Sequence, residues 1–152
     1  MKAVIQRVKD AWITINSGEK QTMGPGLVVL FGVGENDDGA DCETLRNKIA
    51  QLRIFEDREG KMNLCARELG LECMVVSQFT LFADTKKGRR PSFVKAARPE
   101  TAIPIYENFL DKMNCAGFKN VIHGQFGADM QINLTNDGPV TIIIDTDEWR
   151  KS

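Results

Sequence analysis

The sequence predicts an α/β fold: one compact domain over residues 1–152, with a mixed, largely antiparallel β-sheet and two main helices. Three observations carry this expectation. Apolar runs of strand length recur between Gly, Pro, Asn and Asp clusters. Two longer stretches, 39–53 and 99–114, space their apolar residues as a helix does. The chain also has the length that one hydrophobic core serves, burying roughly 70% of the surface its unfolded form would expose. The order strands, helix, strands, helix, strands admits an internal duplication into two similar halves.

Residues 2–8 and 11–16 alternate apolar and polar side chains around Lys9-Asp10 and read as a hairpin. Val4, Trp12, Ile13 and Ile15 do not share one face, so part of this ribbon is expected to be covered on both sides. Residues 17–26 hold three glycines and a proline and form a connection. The run LVVLFGV at 27–33 is continuously apolar, as in a strand buried on both faces. Gly32-Val33-Gly34 is no phosphate loop, because Asp37 stands where the dinucleotide fingerprint needs its third glycine. Asp37 or Asp38 can cap the first helix, over 39–53. Leu45, Ile49 and Leu52 face inward there, with Arg46, Lys48 and Gln51 outward.

A short strand at 53–55 and a turn at 57–60 follow, then a central strand at 73–82. Residues 83–98 form a long polar loop punctuated by Gly88 and Pro91. The second helix, 99–114, turns Ala102, Tyr106, Phe109 and Met113 inward and ends before Gly117. Pro104 is tolerable only in its first turn, where the missing N–H costs no helical bond. Two last strands, 129–135 and 140–146, are joined by Asn136-Asp137-Gly138-Pro139.

The net charge of −1 argues against a protein that coats nucleic acid, while leaving room for a local basic patch. No apolar run approaches the roughly 20 residues that cross a bilayer. The opening MKAVIQRV enters a strand pattern without the apolar core of a signal peptide, so a cytoplasmic protein with no membrane partner is expected. Cys42, Cys65, Cys73 and Cys115 are scattered and contain no C-x-x-C pair. They read as reduced and structural, with Cys73 and Cys115 as small buried hydrophobes. His123 is the only histidine, which excludes chemistry needing two, and it is expected in a surface or hydrogen-bonded loop. Asp41, Glu43, Glu56, Asp57 and Glu59 fall on a helix face and a solvated turn, so neither a metal nor a cofactor is expected.

Two stretches break the structural pattern. In CMVVSQFTLF, from Cys73 to Phe82, Ser77, Gln78 and Thr80 place polar groups where a buried strand should stay apolar. Phe79, Leu81 and Phe82 alternate with them or follow them, and Lys86, Lys87, Arg89 and Arg90 come next. In the second stretch, N-L-T-N-D-G-P-V-T from Asn133 to Thr141, the default is a hairpin turn. Its Gly138-Pro139 bond is also the best candidate in the chain for a cis linkage, which would aim a backbone carbonyl outward.

Ser77-Gln78-Phe79-Thr80-Leu81 together with Asn133 to Thr141 resembles the motif pair of the D-aminoacyl-tRNA deacylases. The resemblance covers nearly the whole chain, including Ile5-Gln6-Arg7-Val8, Gly60-Lys61-Met62-Asn63, Arg90-Pro91-Ser92-Phe93 and Ala128-Asp129-Met130. It implies a homodimer with active sites at its interface that hydrolyses the ester between a D-amino acid and the 3′ end of tRNA, a proofreading step in translation. It also implies that Ser77, Gln78, Phe79 and Thr80 are catalytic. The substrate would be bound by Phe79, Leu81 and, from the partner subunit's copy of the motif, Gly138, Pro139 and Val140. Glycyl-tRNA, being achiral, would be a side substrate. Lys86, Lys87, Arg89 and Arg90 are candidates for phosphate contacts, against a plain solvated loop.

Two mechanisms fit the residues. Thr80 could be a covalent nucleophile, but that needs an activating base and none stands near it in the sequence. Alternatively, backbone N–H groups around Phe79 and Thr80, helped by Gln78, form an oxyanion site while the RNA's vicinal hydroxyl activates water. The resemblance favours the second. Two other classes compete: a non-catalytic RNA-end binding module, and a small-molecule esterase or amidase using Thr80 or Ser77.

Overall fold

The computed structural model describes residues 1–150. In chain order the elements are β1 (Lys2–Ile15), β2 (Gln21–Met23), β3 (Gly26–Gly32), α1 (Cys42–Ala50), β4 (Phe55–Glu56), β5 (Met62–Leu64), β6 (Glu72–Ser77), α2 (Pro99–Asn114), β7 (Val121–His123) and β8 (Met130–Asp145). Short 3-10 helices cover Phe79–Phe82 and Thr146–Arg150. One mixed sheet holds β2, β1, β3, β6, β7 and β8, while β4 and β5 pair separately. β1 runs antiparallel to β2, β3 and β8; β3–β6 and β6–β7 are parallel. The expected class, mixed sheet and two helices are what the chain adopts.

Alternation along the strands separates two apolar clusters. Ala3, Ile5, Leu27, Val29, Phe31, Cys73 and Val75 meet Leu45 and Ile49 of α1 and Tyr106, Phe109 and Met113 of α2. Val8, Ile13, Val28, Met74, Val76 and Ile122 form a smaller cluster. β3 and β6 contribute to both, which is why their sequences stay apolar at every step. Phe109 stacks on Phe31 with ring centroids 4.2 Å apart. Each such fully buried side chain contributes about 1.5–3 kcal/mol. Gly26 is required where β3 passes β6, because a Cβ there would lie 1.8 Å from the Glu72 carbonyl oxygen.

Several expectations need correction. The two end ribbons are not hairpins: β1 continues through Lys9-Asp10, and β8 continues through Asn136-Asp137-Gly138-Pro139. Lys2 to Val8 lies between β3 and the later half of β8, and Ala11 to Ile13 lies between β2 and its earlier half. The first helix is shorter than 39–53, and its N-cap, Asp41, makes no side-chain cap bond. Asp37 instead accepts the Gly34 N–H at 2.6 Å, and Asp38 that of Ala40 at 2.9 Å. Residues 79–82 leave the strand for a 3-10 turn. Pro104 sits in the second turn of α2, yet it and Glu100, whose carbonyl loses a donor, are both exposed, so water can take the bond. His123 belongs to β7 rather than a loop, with Nδ1 2.7 Å from the Gly124 carbonyl oxygen. Cys115 is exposed, whereas Cys42, Cys65 and Cys73 are buried; all four are free thiols. Burial pushes the Cys42 and Cys73 thiols up and keeps them protonated.

Candidate active site

β6 ends where its neighbours stop. β7 pairs with it only as far as His123, and on the other edge Gln78 N–H makes a last bond to the Phe31 carbonyl at 2.7 Å. The chain then turns: Leu81 N–H reaches the Gln78 carbonyl at 3.3 Å and Ala83 N–H that of Thr80 at 3.1 Å. Phe82 anchors this turn. It is buried against Gly34, where a Cβ would come within 2.8 Å of its ring. With Phe82 inside, Phe79 is 52% exposed and Thr80 is exposed as well. The N–H groups of Phe79 and Thr80 head the 3-10 turn and have no acceptor among the described residues. The Gln78 side-chain amide donates to the Thr80 hydroxyl.

A cleft of about 690 Å³ opens beside this turn. One wall is Val76, Ser77, Gln78 and Phe79. A second comes from the polar loop and the start of α2: Phe93, Ala96, Ala97, Arg98 and Pro99. The third is residues 126–130 with Ile132. Phe79 and Phe93 meet edge to face, 5.2 Å between centroids. The lining is mostly apolar, and its only ionisable side chains are Arg98 and Asp129. The second and third walls escaped the sequence reading. Apart from Arg98 and Asp129, their residues carry no chemical signature beyond the half-buried aromatic at 93 and the glycine turn at 127.

The second stretch is a projection. Asn136 faces Val8 and Thr141 faces Gln6, so residues 137–140 stand opposite Arg7 alone. Gly138-Pro139 is cis, and Gly138 has φ +124°. Arg7, 7% exposed, donates from Nε to the Asp137 carbonyl at 3.1 Å and from Nη1 to the Ile54 carbonyl at 2.8 Å. The Asp137 carboxylate lies 3.8 Å from its guanidinium. Asn136 ties the neck, its amide donating to the Arg7 and Val140 carbonyls at 3.0 Å each, while Thr141 Oγ1 donates to its Oδ1 at 3.4 Å. An arginine inside an apolar strand was the available signal for this support.

Within one chain the two stretches do not form one pocket. Gly138, Pro139 and Val140 are absent from the cleft lining, as are Thr80 and Leu81. Lys86, Lys87, Arg89 and Arg90 are exposed and also outside it. Among the described residues no three His, Cys, Asp or Glu side chains gather as a metal site. Asp41 and Glu43 are engaged instead with Arg150, and with Arg46 and Lys112. No helix among the described residues is long and apolar enough to cross a membrane.

The D-Tyr-tRNA(Tyr) deacylase family model matches residues 4–145. A D-aminoacyl-tRNA deacylase of Cytophaga hutchinsonii is 53% identical over 146 residues, covering 96% of this chain and 97% of that protein. One from Porphyromonas gingivalis is 50% identical over the same shares. A solved structure, "c-Myc DNA Unwinding Element Binding Protein", superposes with a TM-score of 0.88 at 38% identity, covering 95% of this chain and 98% of that one. A probable eukaryotic D-amino acid tRNA deacylase shares the fold at a TM-score of 0.82 and 15% identity, covering 94% and 97% of the two chains. Fold, cleft and relatives together define a small hydrolase built on a mixed sheet with two helices. The chain belongs to the D-Tyr-tRNA(Tyr) deacylase family.

Proposed function

We propose that the chain hydrolyses the ester joining a D-amino acid to the 3′-terminal adenosine of tRNA, releasing both as a chiral proofreading step in the cytoplasm. The observation that carries this reading is the pair of unengaged N–H groups, Phe79 and Thr80, beside a largely apolar cleft in a chain matched to the family almost end to end. Water adds to the ester carbonyl, and the oxyanion that forms accepts these two N–H groups. Collapse then expels the ribose oxygen, which takes up a proton. Such donors are worth about 3 kcal/mol each when aimed at the developing charge.

Thr80 is a poor nucleophile here. Its hydroxyl oxygen accepts a bond from the Gln78 amide nitrogen, which cannot take a proton. Activation of water therefore falls to the vicinal hydroxyl of the RNA. The site is completed in a homodimer by the second copy's projection, whose Gly138 and Pro139 carbonyls meet the substrate ammonium and leave no room for an L side chain. The absence of its residues from the cleft lining within one chain supports this reading. Glycyl-tRNA, with no side chain to exclude, is a side substrate. Lys86, Lys87, Arg89 and Arg90 contact phosphates near the acceptor end.

Incubation with D-Tyr-tRNA, L-Tyr-tRNA and glycyl-tRNA tests the reading. Release of D-Tyr and glycine with L-Tyr-tRNA intact is the expected result. Release of L-Tyr at a comparable rate, or of nothing, overturns it.

A further inference from the structure

Tyr106 of α2 is 3% exposed and lies behind the cleft, its ring 6.2 Å from that of Phe126 in the cleft wall. Its hydroxyl occupies an unusual place in the sheet. β6 and β7 pair in parallel through Cys73–Val121, Met74–Ile122 and Val75–His123. The ladder extends at both ends, from Cys73 N–H to the Asn120 carbonyl at 3.0 Å and from Gly124 N–H to the Val75 carbonyl at 3.1 Å. The evenly spaced parallel pattern calls for one more rung, from Ser77 N–H to the Gly124 carbonyl. That rung is missing among the described residues. Tyr106 Oη stands at the gap, 3.3 Å from the Val75 oxygen and 3.5 Å from the Gly124 oxygen, where the nearby Ser77 backbone favours the ionised phenol and partly offsets burial.

A hydroxyl suits this gap because it accepts and donates at once. Burial pushes Tyr106 up to about 12, so it keeps its proton at neutral pH and is no general base. Both sides of the gap lead directly into cleft walls: residues 77–79 on one side, 126–130 on the other. A closed rung would draw those walls together, whereas an inserted oxygen holds them apart at a fixed distance.

We infer that Tyr106 is a positioning residue: its hydroxyl replaces one rung of the β6–β7 ladder and sets the aim of the 77–80 backbone against the facing cleft wall. The inference rests on the deacylase reading for its kinetic consequence, though not for its structural one. It is tested on the full chain by comparing the parent with Tyr106→Phe and with Met113→Ala, a fully buried control two turns further along α2. With D-Tyr-tRNA, Tyr106→Phe lowers kcat at least fivefold with KM changed less than threefold. Met113→Ala lowers the melting temperature at least as much but leaves kcat within twofold. A fall in kcat below fivefold, or one no larger than the control's, overturns the inference. Backbone amide resonances give a readout independent of turnover. Tyr106→Phe shifts those of Phe79 and Thr80, whereas Met113→Ala does not; unmoved resonances also overturn it. If the parent does not deacylate D-Tyr-tRNA, the functional reading fails and the resonances alone decide about Tyr106.

Discussion

The two motif stretches interrupt strands in opposite ways. At Ser77 a buried strand stops and the sheet opens, leaving a recess with walls from three distant parts of the chain. At 137–140 an edge strand is pushed outward without losing its partner, leaving a projection held by Arg7 and Asn136. The recess is a property of the whole fold, so truncating one side chain there removes little of it. The projection is local, and one substitution can release it. Vulnerability should therefore be concentrated at the projection, although the recess holds the groups proposed to meet the ester.

The largest effect is expected for Arg7→Leu. It removes the donors to the Asp137 and Ile54 carbonyls and fills their place with an apolar chain. Charge-assisted bonds of this kind are worth about 1.5–3 kcal/mol each, so a total loss of about 3 kcal/mol is expected in urea unfolding. Turnover of D-Tyr-tRNA should fall at least a hundredfold. A loss below about 1 kcal/mol with turnover retained would mean that something other than Arg7 holds the projection. Gly138→Ala comes next. At φ +124° an added Cβ lies 3.0 Å from Arg7 Nη2 and 3.0 Å from Val140 Cγ2, so both conformation and space resist it. A cost of about 1–3 kcal/mol is expected, with turnover down tenfold to a hundredfold. Wild-type turnover in Gly138→Ala would separate the projection from the chemistry.

The contrast between recess and projection also explains what the sequence disclosed. α2 was legible to its ends because Ala102, Tyr106, Phe109 and Met113 repeat at helical spacing and all bury. β8 was misread as a hairpin because Asn, Asp, Gly and Pro serve a turn and a bulge equally well, and β1 because its alternation breaks at Lys9-Asp10. Only the partner strand, continuous past both breaks, decides between them. The 3-10 turn at Phe79–Phe82 was hidden because FTLF alternates no differently from a strand end; what bends it is Phe82 finding room beside Gly34. The projection was visible as a motif because its residues are chemically special. Most of the recess was invisible, since Ala96, Ala97 and Ala128 become walls only when distant segments meet. Tyr106 was read as a core residue, which it is, while its hydroxyl's task depends on where β7 stops.

Thr80→Ala is the smallest expected effect and the sharpest statement about the recess. The hydroxyl lies at an exposed turn, lines no wall of the cleft, and its one hydrogen-bond partner among the described residues is the Gln78 amide. Its removal should cost less than about 1 kcal/mol, the scale of an exposed neutral hydrogen bond. The Thr80 N–H, the group assigned to the oxyanion, survives the substitution. Single-turnover deacylation of D-Tyr-tRNA should therefore stay within about tenfold of the parent, a change of about 1.4 kcal/mol in the barrier at most. A thousandfold or greater loss with tRNA binding intact would instead assign the hydroxyl a covalent role. In that case Asp129, the only carboxylate in the cleft lining, would be the first residue to examine as its base.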